Sequence, residues 1–130
     1  MRIFFMIFSI TLMISCIDNK KKEIDQLSDE VIVLHDEVMP LMDGLYQTRM
    51  KLQKLAASDS AGIDSVEVAA IILQIKNAEE AMMDWMHNFN PGYEGANPDE
   101  TIQYLLDQKN SIEALGKQMK TAKLAGQGLL

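Results

Sequence analysis

The chain has one cysteine in 130 residues, Cys16, close to its start. No internal disulfide, CxxC redox pair or thiolate metal cluster can form, so stability has to come from packing. Aromatic residues are scarce at 6%, and basic residues are outnumbered by acidic ones, 12 against 19, for a formal net charge of −7. Such a surface repels phosphate backbones, which argues against nucleic acid as a partner. No glycine-rich phosphate loop, no useful Ser/His/Asp order and no spare thiol mark an enzyme, and the chain is expected to be non-enzymatic. The main apolar run, Ile3 to Ile14, is about a dozen residues long, against the ~20 that a membrane-spanning helix needs.

What does stand at that end is a leader. Met1-Arg2 supplies a positive n-region, Ile3 to Ile14 an apolar h-region and Ser15 a small residue ahead of the cut, as in a cleaved secretory signal. With the cysteine directly after Ser15, the segment Leu12-Met13-Ile14-Ser15-Cys16 resembles the lipobox of bacterial lipoproteins, with Met13 where that family usually has leucine. The resemblance implies a signal peptide over 1–15, diacylation of the Cys16 thiol and Cys16 as the mature N-terminus. Removing 15 of the 130 residues leaves 115, and losing Arg2 takes the charge from −7 to −8. That length suits one domain with a single core. Two acyl chains hold a protein stably at a bilayer where one does so marginally. Residues 16–23, with Lys20-Lys21-Lys22, are expected as lipidated N-terminus and polar tether. The expected location is the cell envelope, at the outer or inner membrane on its periplasmic side.

From Ile24 the apolar residues recur at alternating steps of three and four: Ile24, Leu27, Val31, Leu34, Val38, Leu41, Leu45, Thr48, Leu52 and Leu55. This heptad seam predicts a first helix over about 24–56, with one polar interruption at Thr48. Pro40 removes a backbone hydrogen bond and is expected to kink that helix, the alternative being two shorter helices meeting near Met39-Pro40. Small and polar residues from Ala56 to Ile63 read as a loop. Asp64 and Glu67 then form a capping-box signal, Ile63 can staple onto Val68, and a second helix is expected over about 65–90. Its broad apolar face runs through Val68, Ile71, Ile72, Ile75, Ala78, Met82, Trp85, Met86 and Phe89. Asn97-Pro98-Asp99-Glu100 is a second start signal, opening a third helix over about 98–124 with Ile102, Leu105, Ile112, Leu115 and Met119 inward. Residues 125–130 are expected as a flexible tail. The fold predicted for residues 24–124 is all-α, an antiparallel up-down-up three-helix bundle.

Methionine is over-represented, with ten in the chain. Outside the leader, five of seven fall in two clusters, Met39 with Met42 and Met82 with Met83 and Met86, and both histidines, His35 and His87, fall in the same clusters. If the first hairpin turns near residue 60, residue x on the first helix lies level with about 120 − x on the second, so the clusters face each other. Thioethers with imidazole suit Cu(I) without needing a thiolate. His35, Met39, Met42, Met82, Met83, Met86 and His87 are therefore the candidate metal donors, copper being the one candidate cofactor. The competing account is packing, since methionine fills irregular core space beside a kink and a tryptophan. Trp85 reads as a core anchor whose indole N–H wants an acceptor. A di-iron element is excluded because Asp84 and His87 at i, i+3 have no second copy. Haem between Met39 and His87 finds too little room in three helices. The pairs Asp29-Glu30, Asp36-Glu37, Glu79-Glu80 and Asp99-Glu100 point about 100° apart on a helix and cannot converge as acid and base.

The leader, the segment His35-Asp36-Glu37-Val38-Met39-Pro40-Leu41-Met42 and the segment Ala81-Met82-Met83-Asp84-Trp85-Met86 together resemble a family of small helical lipoproteins of Bacteroidota, some of which carry the label viral A-type inclusion protein. The resemblance implies the location and brings no activity with it. The expected function is that of a membrane-anchored helical bundle that binds another envelope protein or spaces envelope components, the alternative being a periplasmic Cu(I) binder.

Overall fold

A computed structural model describes the backbone of residues 2–58 and 64–130, and the side chains of 18–58 and 64–130. The elements are α1 (Arg2–Val38), α2 (Pro40–Ala57), α3 (Ser65–Asn88) and α4 (Pro98–Gln127), with no strand among the described residues. The leader side chains, the Cys16 thiol and the Ile63 staple lie outside the side chains described.

The expected first helix divides at Met39, and the division is a joint. Met39 keeps helical angles, φ −52° and ψ −39°. Its N–H donates to the His35 carbonyl at 2.9 Å, and its own carbonyl accepts from Met42 N–H at 3.0 Å. Pro40 takes the first position of α2, where its missing N–H costs least. Because the path stays helical, the heptad seam keeps its phase across the joint: all ten positions from Ile24 to Leu55 are buried or half-buried.

Both N-caps form. The Asp64 carboxylate accepts from the N–H groups of Val66 and Glu67, at 2.9 and 3.2 Å. At α4 the Asn97 side chain accepts from Glu100 N–H at 3.1 Å, and the Glu100 carboxylate reaches back to Ala96 N–H at 2.8 Å. Such caps satisfy the orphan donors of a first turn.

Three boundaries differ from the sequence-based expectation. Residues 18–23, expected as a tether, are helical, and Lys20 donates to the Asp99 carboxylate at 2.7 Å. Lysine and glutamate favour helix, so a polar stretch attached to a strong seam simply prolongs it. The second helix stops at Asn88, two residues early, because the Phe89 backbone turns to extended angles ahead of Asn90-Pro91. The third runs three residues past Leu124. Gly126, expected in the tail, is buried, and Leu129 packs on the core.

The core is a set of seven-residue ladders. Val31, Val38, Leu45 and Leu52 come from the α1–α2 rod, Val68, Ile75 and Met82 from α3, and Leu105, Ile112 and Met119 from α4, none more than 7% exposed. Cross-element pairs set the register. Lys20 meets Asp99, Glu30 meets Lys109, and Val38 and Thr48 lie against Gly116 and Gly126; the numbers rise together along the rod and α4. Toward α3 they run oppositely: His35 meets Met86 and Arg49 meets Glu79. Thr48, the polar residue of the seam, is 5% exposed and donates to the Gly44 carbonyl at 2.8 Å, so its hydroxyl is satisfied.

Two α4 glycines let the helices close. A Cβ on Gly126 would stand 2.5 Å from Thr48 Cγ2 and 3.0 Å from Ile75 Cδ1, and one on Gly116 would stand 2.8 Å from Val38 Cγ2. On Gly44 it would meet only the end of the Lys123 side chain, which can move aside. The same substitution should therefore change sign with position. Gly126→Ala is expected to lower unfolding stability by about 1–3 kcal/mol through overpacking, whereas Gly44→Ala should raise it by about 0.5–1 kcal/mol through helix propensity; urea midpoints at constant m-value check both.

The Glu30–Lys109 pair, 2.7 Å apart and about one-third exposed on each side, titrates with a definite sign. Hydrogen bonds from Lys109 and then Gln26 hold the Glu30 carboxyl below the ordinary glutamate range, and Glu30 holds the Lys109 ammonium above the ordinary lysine range. A lowered carboxyl stabilises the fold above its unfolded pKa and loses that contribution as pH falls through the folded value. Glu30→Gln should melt below the native chain at pH 7. The gap should close as pH drops below about 4 and narrow with added salt.

Candidate functional site

The candidate donors lie where α1 and α3 diverge. Among the described residues no Cα of α1 comes within 8 Å of α3, and large side chains bridge the space. Trp85 stacks on His35 with centroids 5.8 Å apart, and Phe89 stacks on Trp85 at 4.8 Å. Tyr104 of α4 lies 6.5 Å beyond Phe89, and Tyr93 of the α3–α4 loop stacks on Tyr104 at 4.2 Å. This file of rings joins α1, α3, α4 and a loop. Tyr104 also accepts the Asn90 N–H at 2.8 Å, so the turn that ends α3 is fastened to the same file.

Helix rotation sorts the seven predicted donors. His35, with its side chain 24% exposed, turns Nδ1 toward Asp36 Oδ1 at 3.1 Å and Nε2 toward Met86 Sδ at 3.4 Å. Met39 and Met42 are half-buried and pack on the core, as does Met86. Met82 is fully buried within it. Met83 is 54% exposed and His87 is exposed, one residue further around the helix than the inward Met82 and Met86. The structure therefore brings together His35 and Met86, keeps Met39, Met42 and Met82 in the packing around them, and separates Met83 and His87. No three His, Cys, Asp or Glu side chains gather as a metal cluster among the described residues.

No family model, curated protein or solved structure matches the chain.

Sequence reasoning missed three features. Arg49 and Glu79 form an ion pair at 2.9 Å with side chains 18% and 16% exposed, clamping α2 to α3, and the Arg49 guanidinium lies 5.3 Å from the Tyr46 ring centre. The facing rule of the hairpin puts residue 49 level with about 71, more than two turns from Glu79, so no sequence signal pointed to this pair. The ring file was hidden because its members come from four parts of the chain. A third feature is a groove of about 740 Å³ between α1 and α4, lined by Asp25, Asp29, Val33, Leu34, Lys109 and Glu113 among others. It lies on the face of α1 turned away from His35.

Trp85 anchors the gap as expected, but its indole N–H is buried with no hydrogen-bond partner among the described residues. An unsatisfied buried donor costs about 1–3 kcal/mol, which offsets part of what the ring contributes by packing. Trp85→Phe removes that donor while keeping a flat ring, so it should cost less than about 1 kcal/mol, whereas Trp85→Ala empties the gap and should cost at least ~2 kcal/mol. Chemical denaturation of the two variants checks the difference.

Proposed function

We propose that the chain is a lipoprotein of the cell envelope, cut ahead of Cys16 and acylated there, whose remainder is a non-enzymatic up-down-up three-helix bundle used as a stiff protein-interaction or spacing element. It belongs, on this reading, with the small helical lipoproteins of Bacteroidota that its leader and two methionine segments resemble. The supporting topology is the register: rising numbers pair between the α1–α2 rod and α4, opposed numbers between that rod and α3. No helix among the described residues is long and apolar enough to cross a membrane.

The observation that carries the proposal is the Lys20–Asp99 contact. It puts the first contact between α1 and the head of α4 four residues after Cys16, a reach of at most ~14 Å even if that stretch were fully extended. The α3–α4 loop, with Tyr93 37% exposed, then lies at the membrane end. The far end of α2 stands about 55 Å away at ~1.5 Å per residue from Lys20 to Ala57. Near that far end the outer face of α3 carries Val66 and Leu73, seven residues apart and 76% and 57% exposed, a place for a partner to dock. The acidic charge of the body works against general adhesion to anionic headgroups, leaving attachment to the acyl chains.

Mass spectrometry of the native protein should find an acylated Cys16 at its N-terminus, and Cys16→Ala should move the protein from the membrane to the soluble fraction. In vesicles of zwitterionic phospholipid, a fluorophore on the acylated protein at Tyr93→Cys should be quenched by headgroup spin labels, and one at Leu73→Cys should not. A photo-crosslinker at Leu73 should trap an envelope protein in intact cells, while one at the exposed Lys51 should not. An unmodified thiol on a freely diffusing chain defeats the anchor; equal quenching at both positions defeats only the upright orientation.

A further inference from the structure

We propose a binding site for a soft monovalent cation, copper(I), between His35 of α1 and Met86 of α3, independent of the lipid anchor. The two donor atoms, His35 Nε2 and Met86 Sδ, lie 3.4 Å apart, although the helices that carry them never approach within 8 Å between Cα atoms among the described residues. Bonds of about 2.0 Å to imidazole nitrogen and about 2.3 Å to sulfur, meeting at a tetrahedral angle, separate the donors by about 3.5 Å. The observed spacing is that of two ligands on one ion.

His35 Nδ1 faces the Asp36 carboxylate, which only accepts, and Nε2 faces a thioether, which also only accepts. When the ring N–H is on Nδ1 and turned to Asp36, Nε2 is left to present its lone pair beside the Met86 sulfur, the arrangement of a metal-ligating imidazole. A metal ion makes Asp36 the carboxylate that orients the ligating ring from behind. Imidazole with thioether and no thiolate selects Cu(I) over harder cations. Met39, four residues after His35 at the joint that follows α1, is the next thioether on that side, and the partly exposed edge of His35 gives the ion a way in. Trp85, the one tryptophan of the chain, stacks on the ligating ring and reports on it.

The experiment is an anaerobic titration of the full chain in detergent micelles with Cu(I) buffered by bicinchoninate, read by copper transfer and by Trp85 emission. One equivalent should bind and quench the emission in step. His35→Gln and Met86→Leu should each weaken binding by at least about tenfold, and Met83→Leu and His87→Gln should leave it unchanged. Leucine nearly conserves methionine volume, so Met86→Leu should keep the fold, which circular dichroism verifies. Should it not, His35→Gln, at a partly exposed position, decides alone. No copper transfer, undiminished affinity in His35→Gln, or a loss in His87→Gln equal to that in His35→Gln overturns the site.

Discussion

Helix α4 can lie close against the α1–α2 rod because Gly116 and Gly126, set among the larger inward residues Ile112 and Met119, leave no Cβ between the backbones at Val38 and Thr48. Dispersion attraction falls steeply with separation, so a helix contact without Cβ atoms gains from backbone approach what it loses in side-chain area. At the opposite end of the bundle the contacts are aromatic. There half-buried Trp85, Phe89 and Tyr104 stack in file, and α1 stands away from α3. His35 and Met86 meet at this end, their side chains spanning the space between those two helices.

Periodicity made the helices legible and their closest contacts illegible. A repeat of alternating three and four residues predicts which positions turn inward whatever their partners are, and every seam residue from Ile24 to Leu55 is at least half-buried as that rule requires. Caps were legible for a similar reason, since Asp64 and Asn97 act on N–H groups two or three residues away. Gly116 and Gly126 were not. In one dimension a glycine reads as a breaker or a tail, and its value here comes from Val38 and Thr48, nearly 80 residues earlier in the chain. The ring file was illegible on the same ground, being a property of how four segments sit together.

The candidate site was half legible. Assuming a turn near residue 60 put His35 level with the methionines of α3, and the observed pairing of 35 with 86 agrees with that estimate. Level is set by loop position, but facing is set by rotation, at about 100° per residue. That rotation parts Met82 from Met83 and Met86 from His87, so a list drawn by proximity in sequence included side chains that end in solvent. Hydropathy alone does not correct this, because methionine is accepted on both faces of a helix.

Stiffness connects the two ends of the molecule. A helix joint at Met39 that stays in hydrogen-bonded register transmits orientation across Pro40, and the Arg49–Glu79 clamp ties the far segment to α3, with α4 packed against both. Proline usually weakens a helix by ~3 kcal/mol or more. Here the neighbours on either side, Val38 and Leu45, are core residues, so the joint is held by packing on two other helices. The same packing fixes the distance between His35 and Met86. Two side chains on separately mobile elements would not keep 3.4 Å between their donor atoms, and the core rungs just beyond them, Val38 and Met82, are what hold the elements still.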